Sequence, residues 1–138
     1  MTPLMVVDTS VTAKWFLSVG EDSVREALDL QDAHIAGHVV LVAPATMPVE
    51  LANALLYSKI GKTEVLAALE RFDDMHIGSI ETTAARLGLA MQLAYRHTIT
   101  IYDALFLQLA EELSCPLVTA DRRAFAMLEG CGVDVTLL

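Results

Sequence analysis

The chain has 138 residues, 54% apolar and 20% charged, which is enough for one well-cored domain over residues 1–138 and too apolar for a disordered chain. Nine basic against 18 acidic residues leave a net charge of −9, which excludes coating of nucleic acid by bulk electrostatics. Two cysteines make no disulfide framework, the uncharged stretch 33–49 is short for a membrane span and holds Pro44 and Pro48, and Asp8 interrupts the opening apolar run too early for a secretion signal, so a cytoplasmic protein is expected.

Short apolar runs alternate with helical patterns. Residues 4–7 form the first predicted strand, ending at Asp8, with a helix beginning near Ser10. Ser18 and Glu21 have capping-box spacing, which predicts a helix over residues 21–36 closed by Gly37. Residues 39–42 are the second strand, and a helix over 46–60 follows, with Gly61 as its C-cap and Lys59 in its last turn. Thr63 caps a helix to about 74, residues 75–80 are a third strand, and helices follow over 82–96 and 100–113. Residues 117–119 predict a strand ending near Asp121, then a short helix over 122–128 and a last strand over 133–136. Continuous apolar strands separated by helices require a mostly parallel sheet of about five strands covered on both faces, a three-layer α/β/α sandwich. Ligands in such folds bind at the carboxyl ends of the strands, around a topological switch point.

Carboxylates stand at those ends. Asp8 and Asp121 follow strands directly, Glu50 lies in the first turns of the helix after the second strand, and Asp103 lies in the first turn of the helix opened by Thr100. Asp103 joins the others only if its helix starts at the same edge. Each acid also has a plain structural reading: Asp8 and Asp121 as N-caps, Thr100 with Asp103 as a capping box, Glu50 as a complement to the helix dipole. Four carboxylates converging on one edge repel one another unless they are protonated or bridged by a cation. Oxygen ligands without a supporting His or Cys cluster favour Mg²⁺ or Mn²⁺, whose chemistry with phosphates is phosphodiester or phosphoryl transfer.

At these residues the sequence resembles the PIN-domain ribonucleases, in particular the VapC-type toxins of toxin–antitoxin pairs. Val6-Val7-Asp8-Thr9-Ser10, continued by Lys14-Trp15-Phe16-Leu17, resembles their first acidic motif. Pro48-Val49-Glu50-Leu51-Ala52-Asn53 resembles the second, Tyr102-Asp103-Ala104-Leu105-Phe106 the third, and Leu117-Val118-Thr119-Ala120-Asp121-Arg122 the fourth. The resemblance implies that Asp8, Glu50, Asp103 and Asp121 are catalytic, metal-binding acids. Ser10 and Thr119 would be hydroxyls orienting acids or water, and Asn53 a supporting polar partner. It further implies Mg²⁺- or Mn²⁺-dependent cleavage of RNA, homodimerisation and inhibition by a cognate antitoxin protein. Arg122, Arg123 and Ala124 stand where some members carry a further acid, which leaves one or two cations open.

Lys14, Arg122 and Arg123 lie near the predicted acidic edge as candidate RNA contacts, or as ordinary solvated charge. Lys59 and Lys62 flank Gly61 and are better read as charge compensation at a helix end. Leu51, Leu55, Leu56, Tyr57, Leu66, Leu69 and Phe72 exceed one core stripe and suggest a dimer or antitoxin surface, to which Trp15 and Phe16 would add; the alternative is a deeply buried helix pair. His34, His38, His76 and His97 show no metal-ligand spacing, and Cys115 and Cys131 read as free thiols. Two other functions fit less well. A receiver-like signalling domain needs a second acid beside Asp8 and a late lysine, but Thr9 and Ser10 follow Asp8 and the last lysine is Lys62. A catalytically silent PIN-fold interaction module would not need its four acids intact.

Overall fold

A computed structural model describes residues 1–18, 20–126, 128 and 131–138. Its strands are β1 (Leu4–Val7), β2 (Val40–Pro44), β3 (Gly78–Ile80), β4 (Leu117–Thr119) and β5 (Val135–Leu137). Its α-helices are α1 (Thr9–Thr12), α2 (Val24–Ile35), α3 (Met47–Leu56), α4 (Lys62–Asp74), α5 (Ala84–His97), α6 (Ile101–Leu113) and α7 (Arg122–Phe125), with a 3₁₀ turn at Ala13–Trp15. The sheet runs β3-β2-β1-β4-β5, and every pairing is parallel.

The inner strands are apolar on both faces because helices cover both. Val6 and Val7 of β1, Leu41 to Ala43 of β2 and all of β4 are buried, whereas the edge strands β3 and β5 alternate between half-buried and exposed. Right-handed crossovers carry α1 to α4 over one face as the chain steps from β1 out to β3. The return to β4 reverses direction, so α5 and α6 cover the other face. Helix α6 lies across β1, β2 and β4 and carries α5 on its outer side, which explains its unbroken buried run from Ala104 to Ala110. Burial of Phe106, Leu107 and Leu109 contributes about 1.5–3 kcal/mol each. Arg86 then pins α5 to α6, donating from Nε and Nη2 to Glu112.

Four local expectations are corrected. Helix α2 starts at Val24, after Ser23 in a left-handed conformation (φ 58°), rather than at residue 21. Glu21 does not close a capping box with Ser18, because its carboxylate faces the Lys14 ammonium at 3.5 Å. Helix α3 stops at Leu56, where the Ser58 hydroxyl takes the Leu55 carbonyl at 2.6 Å and ends the ladder. Gly61 is therefore the N-cap of α4, its N–H accepted by Glu64, and Lys59 lies in the connection. The third strand is shortened to Gly78–Ile80 by His76, which turns the chain at φ 52°. Gly78 itself is required by a close approach, since a Cβ there would stand 2.7 Å from Val42 Cγ1. The short helix α7 ends at Phe125; of its predicted extension to 128, residue 127 lies outside the described residues.

Among the described residues, no helix is long and apolar enough to cross a membrane. Both cysteines are free. The apolar residues of α3 and α4 divide: Leu51, Leu55 and Phe72 are core, while Leu56 is 68% and Tyr57 80% exposed, with Leu66 and Val49 also in solvent. Trp15 belongs to the core, donating from Nε1 to the Ala27 carbonyl at 2.8 Å, and Phe16 lies half-buried under the Arg71 guanidinium.

Candidate functional site

The strand order reverses between β1 and β4, so their carboxyl ends form the switch point where a ligand crevice opens. Asp8 and Asp121 stand at those two ends. Asp8 is extended (φ −78°, ψ 151°) and caps α1, its carboxylate accepting from the Ser10 N–H. It is 5% exposed, and three donors reach one of its oxygens: the Ser10 N–H, the Ser10 hydroxyl and the Thr119 hydroxyl, the last at 3.0 Å, all end on Oδ2. Oδ1 receives none of them and is left to point at a ligand.

Ser10 and Thr119 each spend their one proton on Asp8 and use a lone pair to hold the neighbouring strand end. Ser10 Oγ accepts from the Ala120 N–H at 2.9 Å, and Thr119 Oγ1 accepts from the Asp121 N–H at 3.0 Å. Asp121 caps α7 through the Ala124 N–H at 3.1 Å. Thr119 is fully buried. Thr119→Val keeps the shape but strands the Asp121 N–H and removes a donor from a buried carboxylate, so a loss of about 2–3 kcal/mol is expected. Thermal denaturation reads this directly; an unchanged melting temperature would mean that Ser10 alone holds Asp8.

Glu50 and Asp103 approach the same edge from opposite helical layers, α3 and α6. Glu50 Oε2 accepts from the Thr9 hydroxyl at 3.4 Å, and Thr100 caps α6 by accepting the Asp103 N–H at 3.2 Å. Burial, then the Asp8 charge and the Asp103 charge, push the Glu50 carboxyl up to about 7 against the Thr9 hydrogen bond. Burial, with the Asp8 and Asp121 charges, pushes Asp103 up to about 6. Asp8 is raised as well, by burial first and by Asp121. These mutual influences link all four acids and settle the position of Asp103: its helix does start at this edge.

The plain structural readings are also realised, since Asp8 and Asp121 are caps and Thr100 caps the turn of Asp103. Capping uses Asp8 Oδ2 and Asp121 Oδ1 and leaves one oxygen of each free, so a cap and a ligand are compatible roles. The donor set is all carboxylate and hydroxyl oxygen, which fits a hard divalent cation rather than Zn²⁺. Among the described residues, however, no three His, Cys, Asp or Glu side chains stand close enough together to hold one ion as they are.

The remaining expectations separate. Asn53 is exposed, one turn beyond Glu50, and its side chain makes no hydrogen bond with the described residues. Lys14 is 8% exposed and faces Glu21. Arg122 and Arg123 are exposed, with Arg122 Nη2 donating to the Leu138 carbonyl at 3.0 Å. Thr9 was not singled out from the sequence, although it sits between Asp8 and Ser10 and its hydroxyl orients Glu50. His34 is a brace, with Nδ1 accepting from the Leu41 N–H and Nε2 bonded to the Met75 carbonyl at 2.8 Å.

Comparison with known proteins agrees with this fold. No protein of curated function matches the chain in sequence. Solved structures do match in fold. VapBC2 of Rickettsia felis, bound to a DNA fragment from its promoter, superposes with a TM-score of 0.71 at 17% identity over 98% of both chains. VapC20 of Mycobacterium tuberculosis, a sarcin–ricin loop cleaving toxin, gives 0.71 at 17% identity over 88% of this chain and 93% of that one. VapBC-5 of the same organism, a member of the VapBC family of toxin–antitoxin systems, gives 0.65 at 21% identity over 98% of both. The strand order 3-2-1-4-5 also differs from the 2-1-3-4-5 order of receiver domains, which removes that alternative. The family model of the PIN domain matches residues 5–129, nearly the whole chain, and the chain belongs to that family.

Proposed function

We propose that this chain is a divalent-metal-dependent endoribonuclease, acting as the toxin of a type II toxin–antitoxin pair. The observation that carries the reading is the placement of four carboxylates, from four separate segments, along one edge at the switch point of a parallel sheet, with Asp8, Glu50 and Asp103 pushed above their ordinary values by burial and then by one another's or Asp121's charge. Acids that destabilise one another's charge at a ligand crevice are matched to a cation and the phosphate it carries. Asp8, Asp103 and Asp121 would hold Mg²⁺ or Mn²⁺, with Glu50 joining them or positioning the attacking water. The cation, when bound, supplies neutralisation of phosphate oxygens and a more acidic water.

This chain's own residues do the rest. Ser10 and Thr119 fix Asp8 by Oδ2 and so aim Oδ1 outward. Thr9 holds Glu50 by Oε2, which leaves Oε1 to take a proton from water near neutral pH, where a carboxyl near 7 is an effective base. Arg122 and Arg123 stand at the rim for the RNA backbone. The substrate is RNA and the inhibitor is a cognate antitoxin, as in the VapBC assemblies and the RNA-cleaving VapC20 of similar fold. The exposed Val49, Leu56, Tyr57 and Leu66 offer a surface for the antitoxin or a second copy in the cytoplasm. Asn53 keeps only a supporting role, at the rim beyond Glu50.

A map of new RNA 5′ ends after brief expression in a bacterial host tests the reading. Discrete new ends are expected. The spacing of the carboxylates favours one other reading, a catalytically silent interaction module. An unchanged map, with the protein soluble and folded, together with no uptake of Mn²⁺, would select that module instead.

A further inference from the structure

Beside the acidic edge lies a cavity of about 510 Å³, whose charged lining is Lys14, Arg122, Glu21 and Asp22, with Ala120 and Leu138 at its walls. It adjoins the proposed site: the N–H of Ala120, a lining residue, holds Ser10, and Arg122 follows Asp121. Lys14 is the unusual member. The residue is 8% exposed and lines the cavity, so the stem is buried while the ammonium is held beside the opening. Among the described residues its ionic partner is Glu21 Oε2, 3.5 Å away. Glu21 is 42% exposed and sits on the segment between Gly20 (φ 76°) and Ser23 (φ 58°), so its carboxylate can leave without disturbing a helix. Arg122 is under-used, with one of its five donors on the Leu138 carbonyl.

We propose that this cavity seats a backbone phosphate of the bound RNA, received by Lys14 and Arg122, and that Glu21 occupies Lys14 until the RNA displaces it. The proposal rests on the ribonuclease reading and adds to it a second anchoring point, away from the carboxylates of that site, where Lys14 and Arg122 face Glu21 and Asp22 and withdrawal of Glu21 leaves the cations in excess. A phosphate suits the cavity better than a carboxylate does. It presents enough oxygens to use donors of Lys14 and Arg122 together, whereas Glu21 engages Lys14 alone. The exchange also answers the net charge of −9: the cation is kept neutralised within the fold and is released only to a competing anion.

The test is binding of a fluorescent single-stranded RNA pool to the full chain, with Asp103→Asn in every sample to prevent turnover. Lys14→Met is expected to weaken binding about 5- to 20-fold and to lower the slope of log affinity against log salt by about 0.7, one phosphate contact on a single strand. Glu21→Gln is expected to tighten binding about 3- to 10-fold, against less than about 2-fold for Glu26→Gln, which removes the same charge from the exposed first turn of α2, outside the cavity lining. If Lys14→Met does not fold, the contrast between Glu21→Gln and Glu26→Gln decides alone. RNA bound with unchanged affinity and slope by Lys14→Met, or equal effects of the two neutralised acids, overturns the phosphate seat and leaves the ribonuclease reading standing. No RNA binding by any form overturns both. Tighter binding of an acidic peptide than of RNA, lost in Lys14→Met, would assign the cavity to a protein partner and overturn the proposal.

Discussion

Asp103→Asn is expected to abolish RNA cleavage while leaving the protein at least as stable as the wild type. The substitution keeps the size of the side chain, and the cap of α6 is untouched because Thr100, not Asp103, supplies it. What it removes is a charge that burial and the Asp8 and Asp121 carboxylates already disfavour, raising this carboxyl to about 6. At neutral pH the ionised group therefore costs stability, about 1 kcal/mol once solvent screening of a half-buried acid is allowed for. Removing a ligand from a cation that stabilises developing charge forfeits several kcal/mol of the barrier reduction, on the order of 10³-fold in rate. A residue that only capped its helix would show the opposite pair of results, near-normal cleavage and a small loss of stability. Cleavage assays and melting curves on one preparation separate the two. Retained activity would remove Asp103 from the site.

Most of this arrangement was legible because it follows from parallel-sheet rules. Leu4-Met5-Val6-Val7 is apolar at every position and Leu117-Val118-Thr119 at all but the last, as a strand covered on both faces requires, and the residues just after such strands must then lie at the ligand edge. Asp8 and Asp121 were found by that rule alone. Asp103 was not, because a helix can start at either edge; the resemblance of Tyr102-Asp103-Ala104 to a family motif and finally the topology placed it. Tertiary ion pairing and back-bonding were not legible. Ser18 and Glu21 have the spacing of a capping box, but Glu21 is drawn seven positions back to Lys14, and the start of α2 moves with it. Lys59 and Gly61 read as a helix end, but the Ser58 hydroxyl had already stopped α3 one turn earlier. Such competitions are decided by which partner a flexible side chain meets in space, and a local pattern does not contain that partner. The same limit hid Thr9, whose hydroxyl meets Glu50 across 41 positions of chain.

Stability in the absence of metal is expected to fall as pH rises from 5.5 to 8, and Mn²⁺ is expected to restore it at pH 8. Glu50 is raised to about 7, Asp103 to about 6, and Asp8 is raised as well. The unfolded chain ionises the same groups near 4. Between about pH 4 and 7 the folded state therefore binds more protons than the unfolded state, and linkage makes stability decline with pH across that window. The loss from Glu50 and Asp103 is complete only above the folded value of Glu50. Discounted for partial exposure, these two acids together are worth about 2 kcal/mol, or on the order of 8 °C in melting temperature for a chain of this size. A cation bound by the ionised cluster acts in the other direction: at a hundredfold excess over its dissociation constant it adds about 2.7 kcal/mol at pH 8, and less at pH 5.5, where protons compete for the same oxygens. Melting curves in EDTA and in Mn²⁺ at both pH values, for the wild type and for Glu50→Gln, isolate the cluster from the titration of the histidines. Glu50→Gln should flatten the pH dependence. A melting temperature that rises with pH in EDTA, or a Mn²⁺ shift equal at both pH values, would mean that the acids neither repel nor ligate as a group. Asp8, Glu50 and Asp103, whose burial and mutual charges weaken the empty fold as they ionise, are among the side chains that would hold the cation, so the stability lost to ionisation and the stability returned by metal must titrate together.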